Sequence, residues 1–389
     1  MNTLTMRELT KFAIGGGWGA EELQDDTNEV TVIRGADFPA AALQDISSAP
    51  IRFEKSSRIP NRVLNPGDIV LEVSGGTKDR PTGRTIFITQ KMVNDAASPL
   101  IPASFCRRLA IDTEKAEPHF VYYWLQNMYA TGQTWNYQNR STGIANFQFE
   151  QFLDREAVRL PNRQEQLKIA HLLGALDDKL AANQRTIRDC ESLSEALFRK
   201  TSATADTTTL GKELELHYGK ALPKKSRIPG KVAVVGSGGI SGFHNEMLLD
   251  GPSIIVGRKG TIGTVHWISG PNYPIDTTFW VESKRLPLEL LYFLLKSCDF
   301  ASMNTDSAVP GLNRKNAYQV AVPWISEDSA SEIGPLLKTL RARQEHARKE
   351  NQVLARTRDE LLPLLMSGRI TVGEAQDAAD VVGTVASES

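Results

Sequence analysis

The chain has 389 residues, with 45 Lys and Arg against 46 Asp and Glu and 41% apolar residues. That length suits two to four domains with real cores, and a formal net charge of −1 means that bulk electrostatics announces no nucleic-acid partner, so local patches would have to supply one. No apolar run is long enough for a bilayer, the start MNTLTMRELTKFAIGGG lacks a basic stretch before an apolar core, and Cys106, Cys190 and Cys298 lack zinc or disulfide spacing, so the expectation is a cytoplasmic protein with no membrane association.

Residues 1–160 are rich in short β segments punctuated by Gly and Pro and read as a first globular module. Its basic residues gather near turns: Lys55, Arg58 and Arg62 precede Asn65-Pro66-Gly67-Asp68, and Lys78, Arg80 and Arg84 lie within SGGTKDRPTGR. From Pro161, which suits a helix start, to about residue 203 the period becomes helical. Ile169, Leu173, Leu176, Leu180, Asn183, Ile187, Cys190, Ser194 and Leu197 follow a coiled-coil spacing of alternating fours and threes. Thr201 to Thr209 reads as a polar linker that ends this helix.

A second module follows over 204–324, with strands expected at Lys231–Val235, Ser253–Val256, Thr261–Trp267 and Thr277–Val281 and a helix over Pro287–Lys296. The Gly236–Asn245 stretch lacks both the Gly-Lys-Ser/Thr of a phosphate loop and a following helix, so it reads as a flexible turn. Basic residues crowd Gly211 to Lys231, including Lys224, Lys225 and Arg227, and Arg258-Lys259 sits at a turn between strands. The second helix, 325–371, repeats the seam with Ile333, Leu337, Leu340, Gln344, Ala347, Asn351, Leu354, Arg358, Leu361 and Leu365, and 372–389 reads as a disordered tail.

The two halves repeat. Leu64–Val70 matches Leu249–Val256, Gly83–Ile88 matches Gly263–Ile268, Glu117–Leu125 matches Leu286–Leu294, Thr142–Phe147 matches Ser307–Leu312, and Leu160-Pro161 matches Val322-Pro323. The order is kept while the offset drifts one way, as in a duplicated domain with small insertions. Each helix, roughly 50–60 Å long at ~1.5 Å per residue, has a stripe too long for one small module to bury. The simplest arrangement is an antiparallel pair with a module at either end; two separate helical hairpins inside ordinary domains is the alternative. Asn183 and Asn351 would each put an amide in the seam, where a buried Asn fixes register at some cost in stability. The fold expected is mixed α/β (α+β), pseudo-two-fold, with Leu173, Leu176, Leu180, Asn183, Ile187, Leu337, Leu340, Asn351, Leu354 and Leu361 pairing the helices.

Catalytic patterns are missing. The sequence has no Asn/Asp-Pro-Pro-aromatic motif, no cofactor-cradling Gly pattern and no paired carboxylates with Lys in a nuclease arrangement; His171 reads as a helix residue, and His244 and His266 lack a second His at metal spacing. Lys and Arg on turns beside Asn, Ser, His and aromatics suit phosphate positioning and base-edge reading, although solvated surface charge would look the same at any single residue.

The run PNRQEQLKIAHLLGALDDKLAANQ, followed by GKALPKKSR, GSGGISGFHN, GRKGTIGTVHW and a closing DELLPLLMSGRI, resembles the specificity subunits of type I restriction-modification enzymes over nearly the whole chain. The resemblance implies two target recognition domains, each reading half of a bipartite asymmetric site on double-stranded DNA. It implies helices that set the gap and dock partners. Those partners are two modification subunits, which bring S-adenosylmethionine, and motor/nuclease restriction subunits; this chain itself would hold no cofactor or metal and catalyse nothing. Contact candidates are then Lys224, Lys225, Arg227, Ser237, His244, Asn245, Arg258 and Lys259 in the second module, and Lys55, Arg58, Arg62, Lys78, Arg80, Arg84, Asn139 and Arg140 in the first. Two rivals are a coiled-coil scaffold that binds only protein and a stand-alone DNA-modifying enzyme fragment.

Overall fold

The structure, a computed structural model, describes residues 2–77, 79–139, 145–303 and 311–375. Lys78 and Arg140, and most of the Ser307–Leu312 repeat match, lie outside the described residues. Contacts divide the chain into two units, 1–185 with 349–389, and 186–348.

In the first unit, a four-stranded sheet takes the spatial order Thr10–Gly15, Cys106–Ile111, Ile69–Glu72, Thr85–Phe87, with every pairing antiparallel. Beside it in sequence, Thr27–Ile33 pairs antiparallel with Ile51–Lys55 and parallel with Leu100–Pro102. Asn2–Thr5 closes on Ala157–Leu160, joining the start of the module to its end. The helix Pro118–Ala130 packs Phe120, Val121, Tyr123, Leu125 and Met128 into a core with Ile69, Leu71 and Leu109.

The second unit repeats these pairings, while a further three-stranded sheet of the first, Gln138–Asn139, Ala145–Phe147 and Ser74–Gly76, has no counterpart sheet among the described residues of the second. Its four-stranded sheet runs Leu214–Tyr218, Thr278–Ser283, Ser253–Gly257, Val265–Ile268, again antiparallel throughout. Val232–Gly236 pairs antiparallel with Gly239–His244 and parallel with Asn272–Pro274, and Thr207–Thr209 closes on Ala321–Pro323. One glycine shows the identity of design: a Cβ on Gly16 would lie 2.1 Å from the carbonyl oxygen of Pro102, and one on Gly219 would lie 2.6 Å from that of Pro274. Both residues follow the first strand of their four-stranded sheet, where only glycine lets the chain pass so close to the end of the parallel strand.

Several sequence boundaries move. The central helix spans Arg163–Ser202, and its cap is Asn162, whose side-chain oxygen accepts from the Glu165 amide at 2.9 Å, so Pro161 stands outside it. The expected linker Thr201–Thr209 contributes a strand, Thr207–Thr209, because its backbone pairs with the module's last strand. Gly236–Asn245 is a β-hairpin rather than a flexible turn, with Gly239 (φ 99°) and Gly242 (φ 144°) in conformations that need glycine. The strand expected from Thr261 begins only at Val265, since Gly260 and Gly263 turn the chain with φ of 78° and 76°. Nor is 372–389 a tail from its first residue: Val372 and Ala375 are buried in the core of the first unit.

The second long helix spans Glu327–Ser367 and runs antiparallel to the central helix within each unit. In the first unit, Asn183 Nδ2 donates to Asn351 Oδ1 at 2.9 Å and to Glu350 Oε2 at 2.7 Å, while Asn351 Nδ2 donates to the Leu180 carbonyl at 3.3 Å. The two amides expected in the seam meet each other, which satisfies them and fixes register. Arg358, unexpected in a seam, donates to Asp177 at 2.8 Å, and Asp177 also accepts from the Tyr123 hydroxyl at 2.7 Å. In the second unit, buried Gln344 donates to the Ile187 carbonyl at 3.4 Å and to Glu191 at 3.1 Å, and accepts from Arg341 at 3.1 Å. Polar residues interrupt this seam without being orphaned.

His119 shows how tightly the first module grips the central helix. Its ring stacks on Phe87 at 4.2 Å and on Tyr123 at 4.8 Å, and a Cβ on Gly174 would come within 2.9 Å of it. Burial lowers the imidazole pKa, opposed in part by Asp177 and Asp178. The unfolded chain, with its histidine near pH ~6.5, therefore binds the proton first as pH falls, so stability is lost below that value. Urea midpoints should drop between pH 7.5 and 5.5, and His119→Phe should flatten that part of the dependence; an unchanged slope in the variant would count against a buried neutral imidazole. In the seam, Leu180 is 4% exposed, and Leu180→Ala should cost about 2–5 kcal/mol in equilibrium unfolding.

Candidate nucleic-acid interface

The first module carries two cavities, of about 630 Å³ and 390 Å³, and Trp18 and Ser104 line both. Arg34, Glu72, Arg80, Arg84 and exposed Phe105 line the larger; Glu54, Lys55, Arg58 and Arg62 line the smaller. Trp18 sits in the loop after Thr10–Gly15, under the Arg52 guanidinium at 4.7 Å from the ring centroid. This is an arginine-rich surface, with partly exposed Trp18 shared by both cavities.

A carboxylate is buried in the wall of each cavity. Glu72, 3% exposed at the end of a fully buried strand, accepts a fork from Arg84 at 2.5 and 2.8 Å; Arg84 also donates to the Gly35 carbonyl at 2.7 Å. Glu54, 4% exposed, accepts from Arg62 at 2.6 Å. A buried carboxylate left without its cation would be strongly destabilising, so Arg62 and Arg84 serve the fold. Arg80 and Arg58 stand farther from the same acids, at 3.9 Å and 3.8 Å. Arg34 is held by Asp37, which burial pushes up but the Arg34 guanidinium, the Arg34 amide and Ser48 draw below its ordinary value. Asp68, paired with Arg108 at 2.8 Å, goes the other way: burial raises it more than the Asn65 amide and Arg108 lower it. Lys55 and Asn139 are exposed.

The second module is arranged differently. Lys224 and Lys225 are exposed on a short 3-10 turn, Lys224–Ser226, and among the described residues neither has a carboxylate partner. Arg227 donates to the Ser241 carbonyl at 2.8 Å, which ties this loop to the hairpin. Arg258 lies 4.8 Å from the ring of half-exposed Tyr218 and donates to the Asp276 carbonyl at 3.2 Å; Arg314 lies 5.0 Å from the same ring. Lys259 bridges to Gly311 through the backbone, and Asn245 is exposed.

Two sequence candidates turn inward. Ser237 is buried and donates to the Thr277 carbonyl at 2.7 Å, and buried His244 accepts from the Ile228 amide at 3.0 Å while its ring meets Tyr273 edge-on. Both hold the hairpin and its neighbours in place, because a polar side chain shut away from water needs internal partners. Instead the hairpin offers solvent Ile240 and Phe243. Burial pushes the Cys106 and Cys298 thiols up to about 12, far from thiolate reactivity. Glu215, His217 and Glu282 bring ligand-type atoms within 4.8 Å of one another, but both acids are exposed and His217 bonds Glu282 at 2.8 Å.

Sequence reasoning missed Trp18, Phe105 and the buried acids. One signal was readable: Glu72 closes the run Ile69-Val70-Leu71, and an acid at the end of a fully apolar strand implies a buried partner. Trp18 and Phe105 are 87 residues apart and nothing local links them.

Residues 56–190 match the family model Methylase_S, described as the type I restriction modification DNA specificity domain. Among solved structures, the chain is similar to the type I restriction-modification S subunit from M. genitalium, with 19% identity and a TM-score of 0.66, covering 94% of this chain and 95% of that one. It also aligns with the HsdS subunit from Thermoanaerobacter tengcongensis (13% identity, TM-score 0.36, covering 95% and 97%). A structure described for complex assembly and conformational transition of the type I R-M system aligns too (12% identity, TM-score 0.39, covering 94% and 97%). Overlaps that loose carry no argument, and the fold likeness rests on the first. No curated protein matches the chain. Residues 56–190 thus match the type I restriction modification DNA specificity domain, and nearly the whole chain shares its fold with a type I restriction-modification S subunit.

Proposed function

We propose that each module reads one half of a bipartite, asymmetric site on double-stranded DNA, that the paired helices set the gap between halves, and that they dock two modification subunits. The observation that carries this reading is the repeat of one strand order in two modules whose surfaces differ. A shared scaffold gives two similar docking geometries, and divergent loops give two different sequences read. S-adenosylmethionine chemistry belongs to the modification subunits in this reading, cleavage to motor/nuclease subunits, and the chain itself directs both without catalysing either.

The purified chain should show no methyltransferase, nuclease or ATPase turnover, and adenine methylation should appear when a modification subunit is added. Mapping the methylated adenines should give one two-part motif with an unspecified gap. Methylation by the chain alone would favour an enzyme instead, and absence of any DNA footprint in the presence of the modification subunit would favour a protein-only scaffold.

Lys224 and Lys225, exposed and without carboxylate partners among the described residues, are suited to phosphate oxygens rather than to bases. Replacing both by Ala should lower the magnitude of the log-affinity against log-salt slope by about 1.8, at ~0.9 per lost phosphate contact, and leave the methylated motif unchanged. An unaltered slope would remove this turn from the DNA surface.

A further inference from the structure

Of the five arginines that line the two cavities of the first module, Arg34 pairs with Asp37, and the other four divide into two kinds. Arg62 and Arg84 have side chains only 18% and 19% exposed and lie directly against their carboxylates. Arg58 and Arg80 are 56% and 36% exposed and approach the same carboxylates at 3.8 and 3.9 Å. Each inner guanidinium already neutralises its acid, so each cluster of one Glu and two Arg keeps a positive charge. That charge sits on the outer arginine.

Arg80 is oriented as well as charged, and Arg58 stays within ion-pair reach of its acid. Arg80 donates to the Gly75 carbonyl, and Arg58 stands at the start of the short helix Ile59–Arg62, with Glu54 behind it. An arginine held from behind by a buried acid loses less freedom when it binds, and its planar fork matches the two acceptors, O6 and N7, that guanine alone presents in the major groove. Trp18 lines both cavities and is shared by the two, and exposed Phe105 lines the larger together with Arg80. Lys55, which lines the smaller cavity, offers a point charge and no fork.

We propose that Arg58 and Arg80, in the two cavities that share Trp18, are the specificity-determining residues of the first half-site, each taking a guanine, while Arg62 and Arg84 only hold the carboxylates that aim them. This rests on the reading that the first module contacts one half of a bipartite site. Lysine at either outer position keeps the charge and removes the fork, which separates base reading from general attraction to phosphate.

The test uses the full chain with its modification subunit and maps methylated adenines for the unaltered protein and for Arg58→Lys, Arg80→Lys and Arg84→Lys. The two outer variants should each relax one guanine position in the same half-site, with about a 10- to 100-fold loss of preference there, an unchanged salt slope and an unchanged melting temperature. Arg84→Lys should instead melt lower and keep the original motif. Retention of the full motif by both outer variants, relaxation at a base other than guanine, or relaxation in both half-sites would overturn the assignment while leaving the bipartite reading intact. A unaltered complex that methylates no two-part motif would overturn that reading itself, and this assignment with it. Arg58 and Arg80 sit in separate cavities, so failure of one variant to fold leaves the other to decide.

Discussion

Two helices of 40 and 41 residues, each with an apolar stripe along its length, are what the rest of this structure is arranged around. Such a stripe is unstable in water, and a module of this size can cover only one end of it. Each unit therefore takes part of both helices: Ile169, Leu173, Leu361 and Leu365 enter the core of the first, and Phe198, Ile333 and Leu337 enter that of the second. Leu alone would close such a seam in several registers. Asn183 against Asn351, Asp177 against Arg358, and Gln344 against Ile187 and Glu191 each satisfy a polar group in one alignment and would strand it in a slipped one.

The duplication constrains backbone more than surface. Both modules keep the same strand order, the same parallel strand beside an antiparallel pair, and a glycine against the carbonyl of the proline that ends that strand. These are demands of sheet geometry, and a side chain there would clash in either copy. The loops carry no such demand. In the first module they place arginines against buried acids around an aromatic; in the second they leave Lys224 and Lys225 exposed and cover a tyrosine with two arginines. A rigid scaffold with variable loops is the arrangement in which what is bound can change while how it is presented does not.

Charge on this protein is informative only locally. Overall neutrality conceals pairs in which a buried acid spends its charge on one arginine and lends orientation to another. For nucleic-acid recognition, a free lysine is a point charge suited to phosphate, and a braced arginine is a directional fork suited to a base edge.

The sequence by itself determined the duplication, the two helices, the seam positions and the two amides within it, because periodicity and repeated order survive without any knowledge of contacts. Among the described residues, the matched segments form equivalent elements, down to the strand Ala157–Leu160 and its counterpart Ala321–Pro323. What only the tertiary structure decided was which basic and polar residues face outward. Ser237 and His244 sit in a polar, glycine-rich stretch and read as contacts, yet a hairpin folds them inward onto Thr277 and Ile228. Arg62 and Arg84 read no differently from Arg58 and Arg80 until Glu54 and Glu72 are seen behind them. Those partners lie on other segments of chain, brought close by sheet pairing, and a one-dimensional pattern records spacing along a strand but not what the neighbouring loop presses against it.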